Sequence, residues 1–365
     1  MHRASLSSFF ALSLLATSSF AGQPLGQELR GGGSVVVGEE HARLEHQGMN
    51  DSMILIDEAD GLPHDRWFTS STQVRGRFAV DTPLTMPHRA FWTTSLGLNM
   101  YTPRDPGIAT VAALDGDRPY SGWLAGSFGG ELVVASAPIA IVRTAQAFTH
   151  VGVEVFGGTR GPWSFAGPAQ HFAHDGWRLR DGGELPPIVG WGVAETAGGV
   201  AVDVDAFADT SVIAFAIPNS PTLFGAQPTL HVRAGVRGDV GLMLDAAAVN
   251  STVMLGFMHD AVTPHTQGTT PFALYVAVRP ELRAVLFNET IDGVLVDGSR
   301  AAQSTPMVAE VVTALVARVW IVEASVNAVY RSNEIASLSE ALAAQTSPSV
   351  SAGQWFWQWS AAAVW

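Results

Sequence analysis

The residues able to do chemistry fall in four dense places along the chain. Asn50-Asp51 comes first, and Asp65-Arg66-Trp67-Phe68-Thr69 follows. Tyr101-Thr102-Pro103 and the run Asp117-Arg118-Pro119-Tyr120-Ser121-Gly122-Trp123 flank one loop. The last place is Gly161-Pro162 with Gln170 and His174 behind it, then Gly176-Trp177 and Glu184. If Ala169 to His174 forms a helical turn, Gln170 and His174 share one face. A carboxamide beside an imidazole can orient the ring or hold a water for it, and neutral imidazole can deprotonate that water near neutral pH. Other chemistries are closed off. With no Cys in the chain, disulfide scaffolds, iron–sulfur clusters, Cys-ligated zinc and thiol nucleophiles are excluded. A serine nucleophile elbow, G-x-S-x-G, is absent, and so is the zinc motif H-E-x-x-H.

Composition says where such residues would have to work. The basic residues number 20, all Arg, against 33 Asp plus Glu, a formal net charge of −13, which argues against a nucleic-acid binder. Apolar residues reach 47% while charged ones stay at 15%, so a large apolar surface must be hidden in a core or in lipid. Residues 1–21 read as a secretory signal peptide: Arg3, an apolar stretch from Phe9 to Ala16, and a small-residue cleavage site at Ser19-Phe20-Ala21. Residues 22–46 read as a loose leader, and 47–365 as one domain.

What recurs through that domain is alternation. In Thr229 to Arg237, Leu230, Val232, Ala234 and Val236 share one side and His231, Arg233, Gly235 and Arg237 the other. Val322 to Arg331 repeats the pattern, and Glu131 to Arg143, Val200 to Phe207, Val212 to Ile217 and Phe272 to Arg279 are further strand-like segments between turn-forming clusters. A soluble sandwich and a membrane barrel both predict this period of two. The final strand favours the barrel. Gln354 to Trp365 puts Trp355, Trp357, Trp359 and Trp365 on one side, a costly patch in water but half of an aromatic girdle at a lipid interface.

Taken in order, NDS, DRWFT, YTP, DRPYSGWL, GP, QxxxH, GW and a later Glu resemble the lipid A 3′-O-deacylase family of outer-membrane proteins. Arg283 to Asn288, Asp292-Gly293 and Tyr330 to Glu334 resemble that family's later strands, so the likeness runs from about residue 48 to the C-terminus. DRPYSGWL and the step from Pro162 to Gln170 and His174 are its specific parts. The resemblance implies an antiparallel transmembrane β-barrel of twelve strands in the outer membrane. Its active site would lie between the barrel wall and a short helix. It implies a calcium-dependent ester hydrolase acting on lipid A or another acylated membrane lipid, and it implies no protein partner; nucleic acid is already excluded by the charge. Carried over, His174 is the general base, Asp51 helps hold Ca2+, Asn50 and Thr69 are its polar neighbours with Thr69 a further candidate ligand, and Gln170 supports the histidine.

Three features depart from the family pattern. Ser70-Ser71 replaces Asn-Gly after Thr69, the segment after His174 is short with Arg180 in place of Gln, and Pro106 to Gly116 has no basic residue. Arg104, Arg118, Arg178 and Arg180 are left to grip lipid phosphates. The competing readings are an outer-membrane esterase for phospholipids and a non-catalytic barrel, a pore or structural protein.

Overall fold

The structure, a computed structural model, describes residues 42–50, 70–80, 89–103, 110–114, 116–136, 147–172, 188–217, 220–258, 272–300, 302–336 and 353–364. The expected signal peptide lies outside them. Within them the chain forms twelve antiparallel strands: β1 (Ala42–Asn50), β2 (Ser70–Val80), β3 (Arg89–Tyr101), β4 (Ser121–Ser136), β5 (Ala147–Arg160), β6 (Gly199–Ala216), β7 (Gln227–Gly241), β8 (Leu244–Met258), β9 (Phe272–Asn288), β10 (Met307–Val319), β11 (Val322–Arg331) and β12 (Gln354–Val364). Each pairs with its neighbours in sequence, and β1 pairs with β12 from Arg43–Val364 to Asn50–Trp357, closing the barrel. The first strand thus opens inside the last five residues of the 22–46 stretch.

Alternation decides what each wall faces. Along β3, Phe91, Thr93, Ser95 and Asn99 are buried in the lumen while Trp92 and Leu96 are exposed outside. Along β7 the four apolar residues Leu230 to Val236 oppose the lumenal His231, Arg233 and Arg237, as their spacing predicts. Trp355, Trp357 and Trp359 lie on the outer series of β12; Trp365 is outside the described residues. The outer surface is therefore an apolar belt, the pattern of a barrel solvated by lipid. Val200 to Phe207 and the segment from Val212 belong to one strand, β6, which ends at Ala216, one residue before Ile217, and has a register shift between Ser211 and Ile213. The polar residues between them are no turn, because each finds a partner on a neighbouring strand: Thr210 meets Thr149 on the outer side at 2.9 Å, and the other two are held in the lumen. Asp209 receives Arg233, and Ser211 bonds His231 at 2.9 Å.

Ion pairs fill the lumen. Arg43 reaches Glu323 at 2.7 Å, Arg75 bridges Glu131 and Glu154 at 3.0 Å each, Arg237 holds Asp205 at 3.0 Å, and Glu310 takes Arg279 at 3.0 Å. Every one of these carboxylates is buried, so the charges balance within the barrel instead of lining an open passage.

The loops at one end form a cap. Tyr120 pairs with Glu195, Thr196 with Leu295 and Ser304 with Ile335, over a small core of Leu114, Tyr120, Ile188, Ala194 and Leu295. At that end too, Arg160 of β5 forms an ion pair with Glu289 of the short helix Glu289–Asp292.

Candidate functional site

One row of the ladder organises the rim below this cap. Asn50 pairs with Ser70, Ser70 with Met100, and Met100 with Gly122, crossing β1 to β4. Three interstrand steps of about 4.8 Å make this row about 14 Å long. Gly122 belongs to the outer series of β4, and a side chain there would strike Ser164 and Ala166. Its lack of a Cβ lets the segment after β5 stand against the outer wall.

That segment is built tightly. Residues 161–164 form a 3-10 turn begun by Gly161 at φ +58, where any side chain would collide with the Thr196 carbonyl. Ser164 Oγ donates to the Gly161 carbonyl at 2.7 Å and accepts from the Ala166 amide at 3.2 Å. Residues 166–172 are helical; of the turn expected from Ala169 to His174, residues 173 and 174 lie outside the described residues.

Gln170 is only 3% exposed. Its Oε1 accepts the indole N–H of Trp191 at 2.5 Å, which fixes the amide the other way round, with Nε2 as the inward donor. That Nε2 is buried and has no hydrogen-bond partner among the described residues. A buried donor without a partner costs about 1–3 kcal/mol, so its persistence points to a group it is kept for. Trp191 is held in turn by two packing contacts. Its ring lies 5.1 Å from that of Tyr120, and it packs where a Cβ on Gly167 would be, 3.1 Å away. Beside it, the amide of Gly192 donates to Glu195 Oε2 at 2.8 Å. Burial pushes the Glu195 carboxyl up to about 7, against the pull of that N–H.

The expected site residues divide accordingly. Asn50 ends β1 at the rung shared with Ser70, and Gln170 stands on the helix seated at the far end of the same row. Asp51 and Thr69, the next residues beyond that rung along the chain, lie outside the described residues, as do His174 and Glu184. Trp191 and Glu195 were missed by sequence reasoning. The only signal for them was a third Gly-Trp after Gly122-Trp123 and Gly176-Trp177, Gly190-Trp191, followed four residues later by Glu195.

Residues 35–184 match the protein family described as outer membrane protein LpxR, a stretch that contains Asn50, Asp51, Thr69, Gln170 and His174. Among solved structures, LpxR from Salmonella typhimurium is similar with a TM-score of 0.60 at 16% identity, covering 89% of this chain and 100% of that one. The β domain of the Bordetella autotransporter BrkA gives a TM-score of 0.40 at 9% identity, covering 88% and 97%. The curated proteins contain no significant match. Residues 35–184 thus match the family model of outer membrane protein LpxR, and the chain shares with LpxR the fold of a closed twelve-stranded antiparallel β-barrel.

Proposed function

We propose that this barrel is a lipid A deacylase, hydrolysing an acyl ester of lipid A in the outer leaflet with His174 as the general base. The observation that carries this reading is the rim row from Asn50 to Gly122, which puts the β1–β2 rung and the Gln170 helix on one sector of the outer wall. A site there opens toward lipid and not into the lumen, whose buried ion pairs argue against the pore reading.

In this reading His174 takes the proton of a water that attacks the ester carbonyl, and returns it to the leaving oxygen. Gln170 supplies its free N–H toward the polar atoms of the site, in the orientation Trp191 sets. Asp51 would hold Ca2+, with Asn50 and Thr69 beside it. Carboxylate, carboxamide and hydroxyl are all oxygen donors, which fits a hard ion. Calcium, when bound, supplies Lewis-acid stabilisation of oxyanion charge.

The test is mass spectrometry of lipid A incubated with the purified barrel, with calcium and then with chelator. Loss of one acyl unit is expected with calcium alone. Unchanged lipid A in both arms from folded protein overturns the reading, and conversion of added phospholipid instead would assign the esterase alternative.

Trp191→Phe keeps the ring against Tyr120 and Gly167 but deletes the N–H that orients Gln170. The expected result is a fall of about tenfold in kcat, equivalent to about 1.4 kcal/mol, with KM little changed. Steady-state kinetics at fixed calcium checks it; an unaltered kcat would show that the amide orientation does not matter.

A further inference from the structure

The segment 161–172 has two faces. Ser164, Ala166, Gly167 and Gln170 are buried toward the wall and Trp191, whereas Trp163, Phe165 and Phe172 are 57%, 65% and 84% exposed. We propose that the exposed face is inserted among the acyl chains of the outer leaflet, so that this arm is a lipid-dipping edge of the barrel.

Three observations fix acyl chains as the occupant. The first is composition: in a chain of net charge −13, these twelve residues contain no Asp, Glu or Arg, and only His171 can ionise. A loop bathed in water would not present three large apolar side chains with so little polar cover. The second is continuity. Trp163 leans on the backbone at Gly198, its ring 3.0 Å from where a Cβ would be, and immediately below it the outer wall carries exposed Val200 and Val202 on β6 and Val155 on β5. The aromatic face therefore extends the lipid-facing belt upward, where barrels place their interfacial aromatics; the one polar side chain between them on β5, Thr159, spends its hydroxyl on the Trp163 carbonyl at 2.9 Å. The third is backbone conformation. Phe165 sits at φ 61, left-handed, where Gly is the ordinary choice and a bulky residue costs about 1–2 kcal/mol. An aromatic ring there is maintained at a cost, and its ring points away from the packed face.

The insertion stands on the barrel's place in the outer membrane and does not require catalysis. If the deacylase reading also holds, the arm carries Gln170 at its inner face while its outer face sits among the chains of the lipid, so substrate would reach the site from within the leaflet.

The chain has no Cys, so a single introduced one is the sole labelling site. Trp163→Cys and Phe172→Cys, each carrying a nitroxide, would be reconstituted into vesicles of phospholipid and lipopolysaccharide. Val202→Cys serves as the belt reference and Asp297→Cys, in the exposed part of the cap, as the water reference. Collision with oxygen is expected to exceed collision with a water-soluble nickel chelate several-fold at 163 and 172, as at 202. A water profile like that of 297 at either position, in protein with an intact β circular dichroism spectrum, overturns the proposal. Should Trp163→Cys fail to fold, Phe165→Cys replaces it under the same criterion. A lipid A assay run on the unlabelled wild-type protein reports on the deacylase reading separately.

Discussion

His174→Ala is expected to lower lipid A deacylation by about 10²–10⁴-fold, the usual contribution of a positioned general base. Water is a poor nucleophile at neutral pH, and among the site candidates only the imidazole titrates near that pH without help. Asp51 is an acceptor but its ordinary carboxylate is far too weak a base, and Gln170 and Thr69 do not titrate at all. The sign of the pH dependence follows. Activity should rise with pH as the ring loses its proton, and the variant's residual rate should lose that step. His171 is the internal control. It ends no motif: three residues earlier in the chain, on the helix 166–172, it is partly exposed and has no place in the proposed site, so His171→Ala should retain most activity. Equal rates for wild type and His174→Ala, measured on folded protein with calcium present, would remove the imidazole from the mechanism and with it the reading of QxxxH as a catalytic motif.

How much of this was legible in the sequence depends on whether the information was local. Faces were legible, because a period of two needs only neighbouring residues; Leu230, Val232, Ala234 and Val236 fall on the outer wall as read. Closure was not. The pairing of Arg43 with Val364 joins opposite ends of the chain, and alternation says which way a side chain points but not which strand it meets. β6 was divided because Ala208 to Ser211 carries the composition of a turn. Only the lumenal partners on the neighbouring strand β7, Arg233 for Asp209 and His231 for Ser211, show why the strand runs on. At the site, Gln170 was found through its spacing from His174, a local signal. Trp191 was not, since its role is one N–H reaching 21 residues back, set by the cap packing around Tyr120. Gly122 stood inside a motif already singled out, but that it is the seat of the helix is a fact of three dimensions.

Glu310→Ala is expected to destabilise the barrel by about 3–5 kcal/mol, as when one partner of a buried charge cluster is removed. Glu310 is 2% exposed, and its two oxygens take Arg279 Nη2 at 3.0 Å and Arg331 Nε at 2.9 Å, tying β9, β10 and β11 together inside the lumen. Without it both guanidiniums stay buried, with Arg331 keeping Glu334 at 3.6 Å and its place over the Phe356 ring at 4.9 Å, and Arg279 keeping Glu281 at 3.8 Å. Those longer contacts compensate poorly. The effect should also reach the cap, because Glu334 is shared with Arg118, 3.3 Å away, in the loop that carries Tyr120. Tyr120 packs on Trp191, so loosening this end of the lumen should weaken the support of Gln170. Equilibrium unfolding in urea measures the first effect, and a matched urea midpoint in wild type and variant would mean the ion pairs carry no net stability. Glu310→Ala with Arg331→Met discriminates further: if unpaired charge is the cause, the double variant should be more stable than Glu310→Ala alone, since it removes one of the two stranded cations. A lumen stabilised in this way is a solid support. That is what a site on the outer wall requires, because the strands behind it must hold their register while the arm beside it meets lipid.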